Sequence, residues 1–283
     1  MSYNLTDYFH MVADSVRTRS YVRAIRQTLN GGETVLDLGS GIGIFGLVAL
    51  QAGAKEVYAV DPNPLGMIGR YLAEENGLAQ RYQFFCADAR KLELPEPVDV
   101  IVTDMRGVLP IYGNHFHIIN DVRQRFLKKG GKIIPLCDRL YAAPVSSARL
   151  YRELHSPWGR HDFGLDLRLL RQISPVRWQA GRVTQRQLLG PPALLAEFRY
   201  DQNLPEGDIR CHASWELAKE GTLHGLTLWF DCQLTDTVSF SSAPGSRSRP
   251  RVYGSTFFPL AEPVKCEQGA RIRLCLEARR HKD

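Results

Sequence analysis

Val35-Leu36-Asp37-Leu38-Gly39-Ser40-Gly41-Ile42-Gly43 is an apolar run that ends in alternating glycines, with an acid set inside it. A short apolar run rich in branched residues reads as a buried strand. Glycines that follow it let the backbone turn sharply and approach a ligand where a Cβ would collide. Asp37 sits beside that turn. With Gly41, Gly43 and Gly46 the stretch also spells GxGxxG, so a dinucleotide site must be weighed against it. A pyrophosphate is dianionic and would be repelled by Asp37, whereas the methionine end of S-adenosylmethionine carries an ammonium group that the carboxylate can accept. The acid favours the sulfonium cofactor.

Two further acids extend the pattern. Asp61 closes a second apolar run, where a carboxylate can accept both ribose hydroxyls, and Asp88-Ala89 follows a third, where the acid can accept from the adenine amino group and the next N–H can meet a ring nitrogen. Gly39, Gly41 and Gly43 with Asp37, Asp61, Asp88 and Ala89 thus outline a crevice at the carboxyl ends of successive strands.

Outward from this stretch, residues 34–135 alternate strand-like runs (34–38, 57–61, 82–85, 98–103, 132–134) with helix-like stretches after the first, second and fourth. That alternation predicts an α/β fold with a parallel sheet. After Pro135, short runs such as 226–232, 237–240 and 271–276 alternate with Pro, Gly and Ser turns, which predicts a mainly β region. Helical spacing at 149–154 and 165–170, around Pro157-Trp158-Gly159, predicts a helical excursion near 149–172. The expected organisation is an N-terminal helical segment (1–30), a Rossmann-like domain (31–136) and a β domain (137–283).

A chain of 283 residues can bury substantial cores. Its net charge of +6 favours anionic partners in general. Six scattered cysteines with no CxxC pair argue against zinc and against a disulfide framework, and fit a reducing, cytoplasmic setting. No metal is expected. The N-terminus lacks a signal-peptide core, and no run approaches the roughly 20 apolar residues of a membrane span. No aromatic and basic stripe marks a nucleic-acid binder.

Longer segments carry a family likeness. Tyr8-Phe9, Asp14, Arg17-Thr18, Tyr21 and Ala24-Ile25, then Asn76-Gly77-Leu78, Leu94-Pro95, Leu127 to Gly131, Leu140 to Val145, Leu228 to Asp231 and Ser241 to Pro244 resemble the protein arginine methyltransferases over nearly the whole chain. The resemblance implies a class I methyltransferase domain, an N-terminal helix folded over S-adenosylmethionine with Arg17 on the cofactor carboxylate, a β-barrel-like domain and a helical arm forming a homodimer.

The acceptor site departs from that family. Its loop with two glutamates reads here Thr103-Asp104-Met105-Arg106-Gly107-Val108-Leu109-Pro110-Ile111-Tyr112-Gly113, with Asp104 a shortened first acid and Gly113 at the second position. The positions of the family's Thr-His-Trp histidine and tryptophan fall on Val252 and Tyr253. Arg106, with Arg247, Arg249 and Arg251 opposite, reverses the charge, and like charges about 4 Å apart repel by about 4 kcal/mol at an effective dielectric near 20. A neutral or anionic small-molecule acceptor is therefore expected, with Asp104, Arg106, Tyr112 and His115 as candidate catalytic residues. His117 is a further candidate base, and its i, i+2 spacing from His115 speaks against a shared metal. Two alternatives stand beside this reading: a divergent arginine methyltransferase with a carboxylate supplied from elsewhere, and a cofactor-binding partner protein without catalysis.

Overall fold

The computed structural model describes residues 3–155, 164–167, 169, 179–181 and 183–279. Two helices lead the chain, α1 (Leu5–Ala13) and α2 (Ser15–Thr28). Asn4 and Asp7 close a capping box on α1, and the Asp14 side chain caps α2 through the Arg17 N–H. Then follow β1 (Thr34–Leu38), α3 (Ile44–Gln51), β2 (Glu56–Val60), α4 (Met67–Glu75), β3 (Tyr82–Phe85), β4 (Val98–Thr103), α5 (His115–Phe126) and β5 (Leu127–Ile134). The five strands form one sheet in the order β3-β2-β1-β4-β5, every pair parallel. Helix α4 closes at Asn76 with Gly77 in the left-handed region, as the sequence indicates.

β1 is buried along its whole length, as a strand covered on both faces must be. Val35, Val100 and Val102 join one apolar cluster with α2 and α3. Leu36, Leu38 and Ile101 join another with α5. The alternation follows from side chains pointing to opposite faces along a strand.

The antiparallel part begins after a two-residue link, Pro135-Leu136. It comprises β6 (Cys137–Val145), α6 (Ala148–His155), β7 (Gln179–Gly181), β8 (Ala193–Arg199), β9 (Ile209–Glu216), β10 (Gly221–Gln233), β11 (Ser239–Ser241), β12 (Ser255–Cys266) and β13 (Arg271–Ala278). One sheet runs β7-β12-β10-β6-β8 with β11 on β10, and β13 pairs β9. The Rossmann-like sheet followed by a β-rich, barrel-like part is the architecture expected from the sequence. The helical reading at 149–154 falls in α6. Of the second helical reading, residues 165–167 are not helical and Leu169 is, while residues 168 and 170 and the stretch from Pro157 to Phe163 lie outside the described residues.

Both apolar clusters continue into the second half. Phe230, Phe240 and Tyr253 pack with the α2 and α3 side, while Leu140, Phe198, Trp215 and Leu228 pack with the α5 side. The buried Asn120 of α5 adds a polar clasp: its Nδ2 donates to the Leu204 carbonyl and its Oδ1 accepts from the Leu204 N–H, each at 2.9 Å.

Gly43 opens α3 at φ +82°, and a Cβ there would lie 2.2 Å from the Tyr82 hydroxyl. Gly43→Ala is expected to lower unfolding free energy by about 1–3 kcal/mol in urea titrations, the scale of one strained backbone residue.

Candidate functional site

The glycine turn sits at the carboxyl end of β1. Gly39, Gly41 and Gly43 all take positive φ, at +69°, +53° and +82°. The turn is braced by its own acids. Asp61, the residue after β2, accepts from the Gly41 N–H at 2.9 Å and from the Asn63 N–H at 2.8 Å. Asp37 accepts from the Gly46 N–H of α3 at 2.8 Å. Burial pushes the Asp37 carboxyl up to about 7, partly opposed by that N–H bond and reinforced by Asp61. Asp88 caps a short 3-10 turn through the Arg90 N–H and pairs with the Arg90 guanidinium at 2.5 Å. Ala89 is buried beside it.

Tyr8 of α1 lies on this turn: a Cβ at Gly41 would fall 2.6 Å from its ring, and one at Gly39 would fall 2.5 Å from Met105. The Ser40 hydroxyl oxygen is shielded and without a hydrogen-bond partner. A backbone cradle that tolerates no Cβ, a shielded hydroxyl facing no protein partner and two carboxylates behind it fit a cofactor with an amino acid end and a ribose. Sequence reasoning passed over Ser40, although it stands inside the decisive stretch.

Arg17 of α2 does not stand alone. Its Nε donates to Asp104 Oδ2 at 2.5 Å, its guanidinium carbon lies 5.0 Å from the Phe45 ring centroid, and both side chains are almost wholly buried. Burial alone would lower the Arg17 pKa, but the Asp104 carboxylate, together with Tyr253 and Tyr21, more than reverses this, so the guanidinium stays charged. The Tyr253 hydroxyl donates to Asp104 Oδ1 at 2.7 Å. Asp14 holds the loop that delivers Tyr253, accepting from the N–H groups of Arg251 and Val252.

Arg106 corrects the expected charge reversal. Its side chain is 1 % exposed and turned into the protein, with Nε 3.2 Å from Asp138 Oδ2 and 3.6 Å from Asp104 Oδ1. Nη2 donates to the Tyr21 hydroxyl at 2.8 Å, and the guanidinium carbon lies 5.4 Å from the Phe230 ring centroid and 5.9 Å from that of Tyr253. Burial pulls its pKa down, but Asp138 and the neighbouring groups hold it well above the usual value. Two carboxylates and two aromatic faces thus enclose the Arg106 guanidinium within the protein. Arg247 and Arg251 are exposed, and Arg249 donates to the Ser255 hydroxyl. The repulsion argument therefore does not carry to a ligand.

Tyr112 is half exposed, His115 is buried at the start of α5 with its ring 4.5 Å from that of Phe116, and His117 lies 3.9 Å from Glu206. Asp138 and Tyr253 are members of the site that residue-by-residue reading missed as such. Gly113 stands at φ +86°, a backbone conformation that a glutamate would adopt only with strain. Among the described residues, no group of three or more His, Cys, Asp or Glu is placed to hold a metal ion, and no helix is long and apolar enough to cross a membrane.

A glycine turn at the carboxyl end of β1, acids on neighbouring strands and a parallel sheet define a class I methyltransferase type of domain. In keeping with this, the ribosomal protein L11 methyltransferase model matches residues 16–134. The arginine methyltransferase oligomerization subdomain matches residues 138–283, and the chain belongs to the protein arginine methyltransferase family. Protein arginine N-methyltransferase 6 of Xenopus tropicalis is 27% identical over 273 residues, covering 93% of this chain and 80% of that protein. The probable histone-arginine methyltransferase CARM1 of Oryza sativa subsp. japonica is 32% identical over 255 residues, 84% of this chain and 48% of its own length. Among solved structures, Arabidopsis thaliana protein arginine methyltransferase 10 superposes with TM-score 0.84 at 23% identity, over 96% of this chain and 87% of that one. The Trypanosoma brucei PRMT1 enzyme-prozyme complex with AdoHcy gives 0.82 at 21%, over 94% and 85%.

Two outcomes are expected. Arg106→Met or Asp138→Asn alone should cost about 3–5 kcal/mol in denaturant unfolding, because each leaves a buried group unanswered, while the double variant should recover most of the loss. Asp37 has a folded pKa near 7 against an ordinary 3.8, so the folded state binds the extra proton and its stability falls as pH rises from about 4 to about 7. Relative to Asp37→Asn, the wild type should lose on the order of 3–4 kcal/mol across that window, read from urea midpoints at each pH.

Proposed function

We propose that the chain is an S-adenosylmethionine-dependent methyltransferase whose acceptor is a neutral or anionic small molecule. The observation that carries this is Arg106, which occupies a slot of two carboxylates and two aromatic rings that would otherwise receive a guanidinium. A second arginine could enter only by displacing a buried ion pair.

The cofactor supplies an electrophilic methyl group on a sulfonium. Toward it, Gly39, Gly41 and Gly43 offer backbone approach, Ser40 a hydroxyl, Asp37 a carboxylate for the ammonium and Asp61 one for the ribose, with Asp88 and Ala89 at the adenine end. Arg17 would turn its guanidinium to the cofactor carboxylate, loosening its hold on Asp104. An acceptor's lone pair would take that methyl group, the electron pair of the broken carbon–sulfur bond staying on sulfur. The acceptor's proton passes to Asp104 or to water. Positioning is the greater part of the catalysis. Asp104 is held on both oxygens by Tyr253, which makes it an orienting group as much as a base. The oligomerization subdomain supports assembly of two or more copies.

The comparisons lend more support to a second reading, a divergent arginine N-methyltransferase, since the named relatives are arginine methyltransferases. Asp138 is the structural observation in its favour: with Asp104 it brackets a guanidinium, so the carboxylate missing at Gly113 has a substitute. A partner protein that binds cofactor without turnover is the third reading, and the solved enzyme-prozyme complex gives such pairing a setting.

One experiment separates them. Calorimetry with S-adenosylhomocysteine and with NAD is followed by transfer of labelled methyl to arginine peptides and to a panel of phenols and carboxylic acids, in wild type and Arg106→Met. The proposal expects S-adenosylhomocysteine binding without NAD binding, labelled small molecules, and arginine labelling at least 100-fold slower than small-molecule labelling in the wild type. Efficient labelling of arginine peptides establishes the second reading; tight binding with no labelling of any acceptor establishes the third.

A further inference from the structure

Helix α2 turns Arg17 inward and a second set of arginines outward. Arg19, Arg23 and Arg26 recur at intervals of four and three residues, so they share one helix face, turned away from the buried Tyr21, Ile25 and Thr28. All three are exposed. Like charges one turn apart destabilise a helix, and among the described residues no carboxylate pairs with Arg19 or Arg23.

Beside that face lies the turn between β10 and β11. Arg19, Ser20 and Arg23 line a cleft of about 270 Å³ from one side, and Thr237, Val238 and Ser239 line it from the other. The turn is fixed to the helix. Leu234 and Val238 are buried in one apolar cluster with Tyr21, Ala24 and Ile25, and the Thr237 hydroxyl donates to Gln27 Oε1 at 2.9 Å. Both sides of the cleft therefore stand in place before any ligand arrives. The Ser20 hydroxyl is committed to the Val16 carbonyl at 2.7 Å, whereas the Ser239 side chain makes no hydrogen bond among the described residues. The described lining includes no carboxylate, and Val238 is its one apolar side chain.

Two guanidiniums and a hydroxyl around one cleft suit an anion with several oxygens, and a guanidinium matches phosphate bidentately. A carboxylate would offer only two oxygens. With no aromatic side chain on the described lining, a nucleic-acid base has nothing to stack on, and with so little apolar wall a small organic body has nothing to pack against. The anion is then one carried on a molecule that stays largely outside. We propose that this cleft binds a phosphate monoester on a protein partner, a phosphoserine or phosphothreonine in an extended segment. The cleft shares no lining residue with the glycine turn, so the proposal goes beyond the methyl-transfer reading and does not depend on the acceptor.

The test follows fluorescence anisotropy of a labelled glycine–serine peptide carrying one phosphoserine, titrated with the full chain at about 0.15 M salt. The same peptide without phosphate, a labelled oligothymidylate, and inorganic phosphate as competitor are the other arms. The phosphopeptide is expected to bind about tenfold or more tighter than either the plain peptide or the oligothymidylate, and to lose about fivefold or more in Arg19→Ala and in Arg23→Ala, as the removal of a charge-assisted donor predicts. Arg26→Ala removes a charge from the same helix face but outside the cleft, and should change affinity by less than about twofold because a more distant charge is screened. Melting temperature and circular dichroism report that the variants remain folded. No binding, equal binding of the two peptides, or a loss in Arg26→Ala as large as in Arg23→Ala overturns the site, the last by showing a diffuse effect of charge. Tighter binding of the oligothymidylate, or displacement by inorganic phosphate at the dissociation constant of the peptide itself, overturns the protein partner in favour of a nucleic acid or a free anion.

Discussion

A full positive charge buried where two sheets meet is the constraint around which this molecule is arranged. Arg106 comes from the loop after β4, Asp138 from β6, and Tyr21 from α2, so three separate parts of the chain must be in place before the guanidinium is answered. Pairs of this kind add little net stability over a well-packed apolar alternative, but breaking one is costly, and a half-assembled one is worse than none. The ion pair thus selects one docking of the antiparallel half on the Rossmann-like half. Asp104 links that core to Arg17, and through Arg17 to the helices that lie on the glycine turn.

The parallel half was legible in the sequence because its signals are local. β1 begins and ends where the apolar run does, and the glycines that follow it need the left-handed conformations they adopt. β2 ends one residue before Asp61, and β5 starts five residues earlier than Lys132 because Leu127 already pairs with Val98, the Lys and Gly residues between them forming an irregularity in the ladder before Lys132 pairs with Val100.

The acceptor site was less legible, for a physical reason. An arginine in a polar loop reads as facing solvent or ligand, since few charges are buried. Arg106 is an exception whose cause, Asp138, lies 32 positions away and looks like any strand-end acid until the fold brings them together. Tyr253 likewise marks the loss of a family tryptophan in the sequence, while in the fold it is a hydroxyl on Asp104. Asp37 and Asp61 stand out in the sequence as candidates, but not that each is tied to the backbone of the glycine turn or of the helix that follows it.

The shared apolar clusters carry a further implication for how the molecule communicates. Phe230 and Cys232 of β10 pack into the same cluster as α2 and α3, the helices that flank the glycine turn. With no apolar boundary along which the halves could part, opening one exposes the other, and the chain should behave as one cooperative unit. The buried thiol of Cys232, beside Arg106 and Asp138, then becomes a clock for events at the glycine turn: whatever binds at the turn will slow its exposure to a thiol reagent by as much as it stabilises the whole.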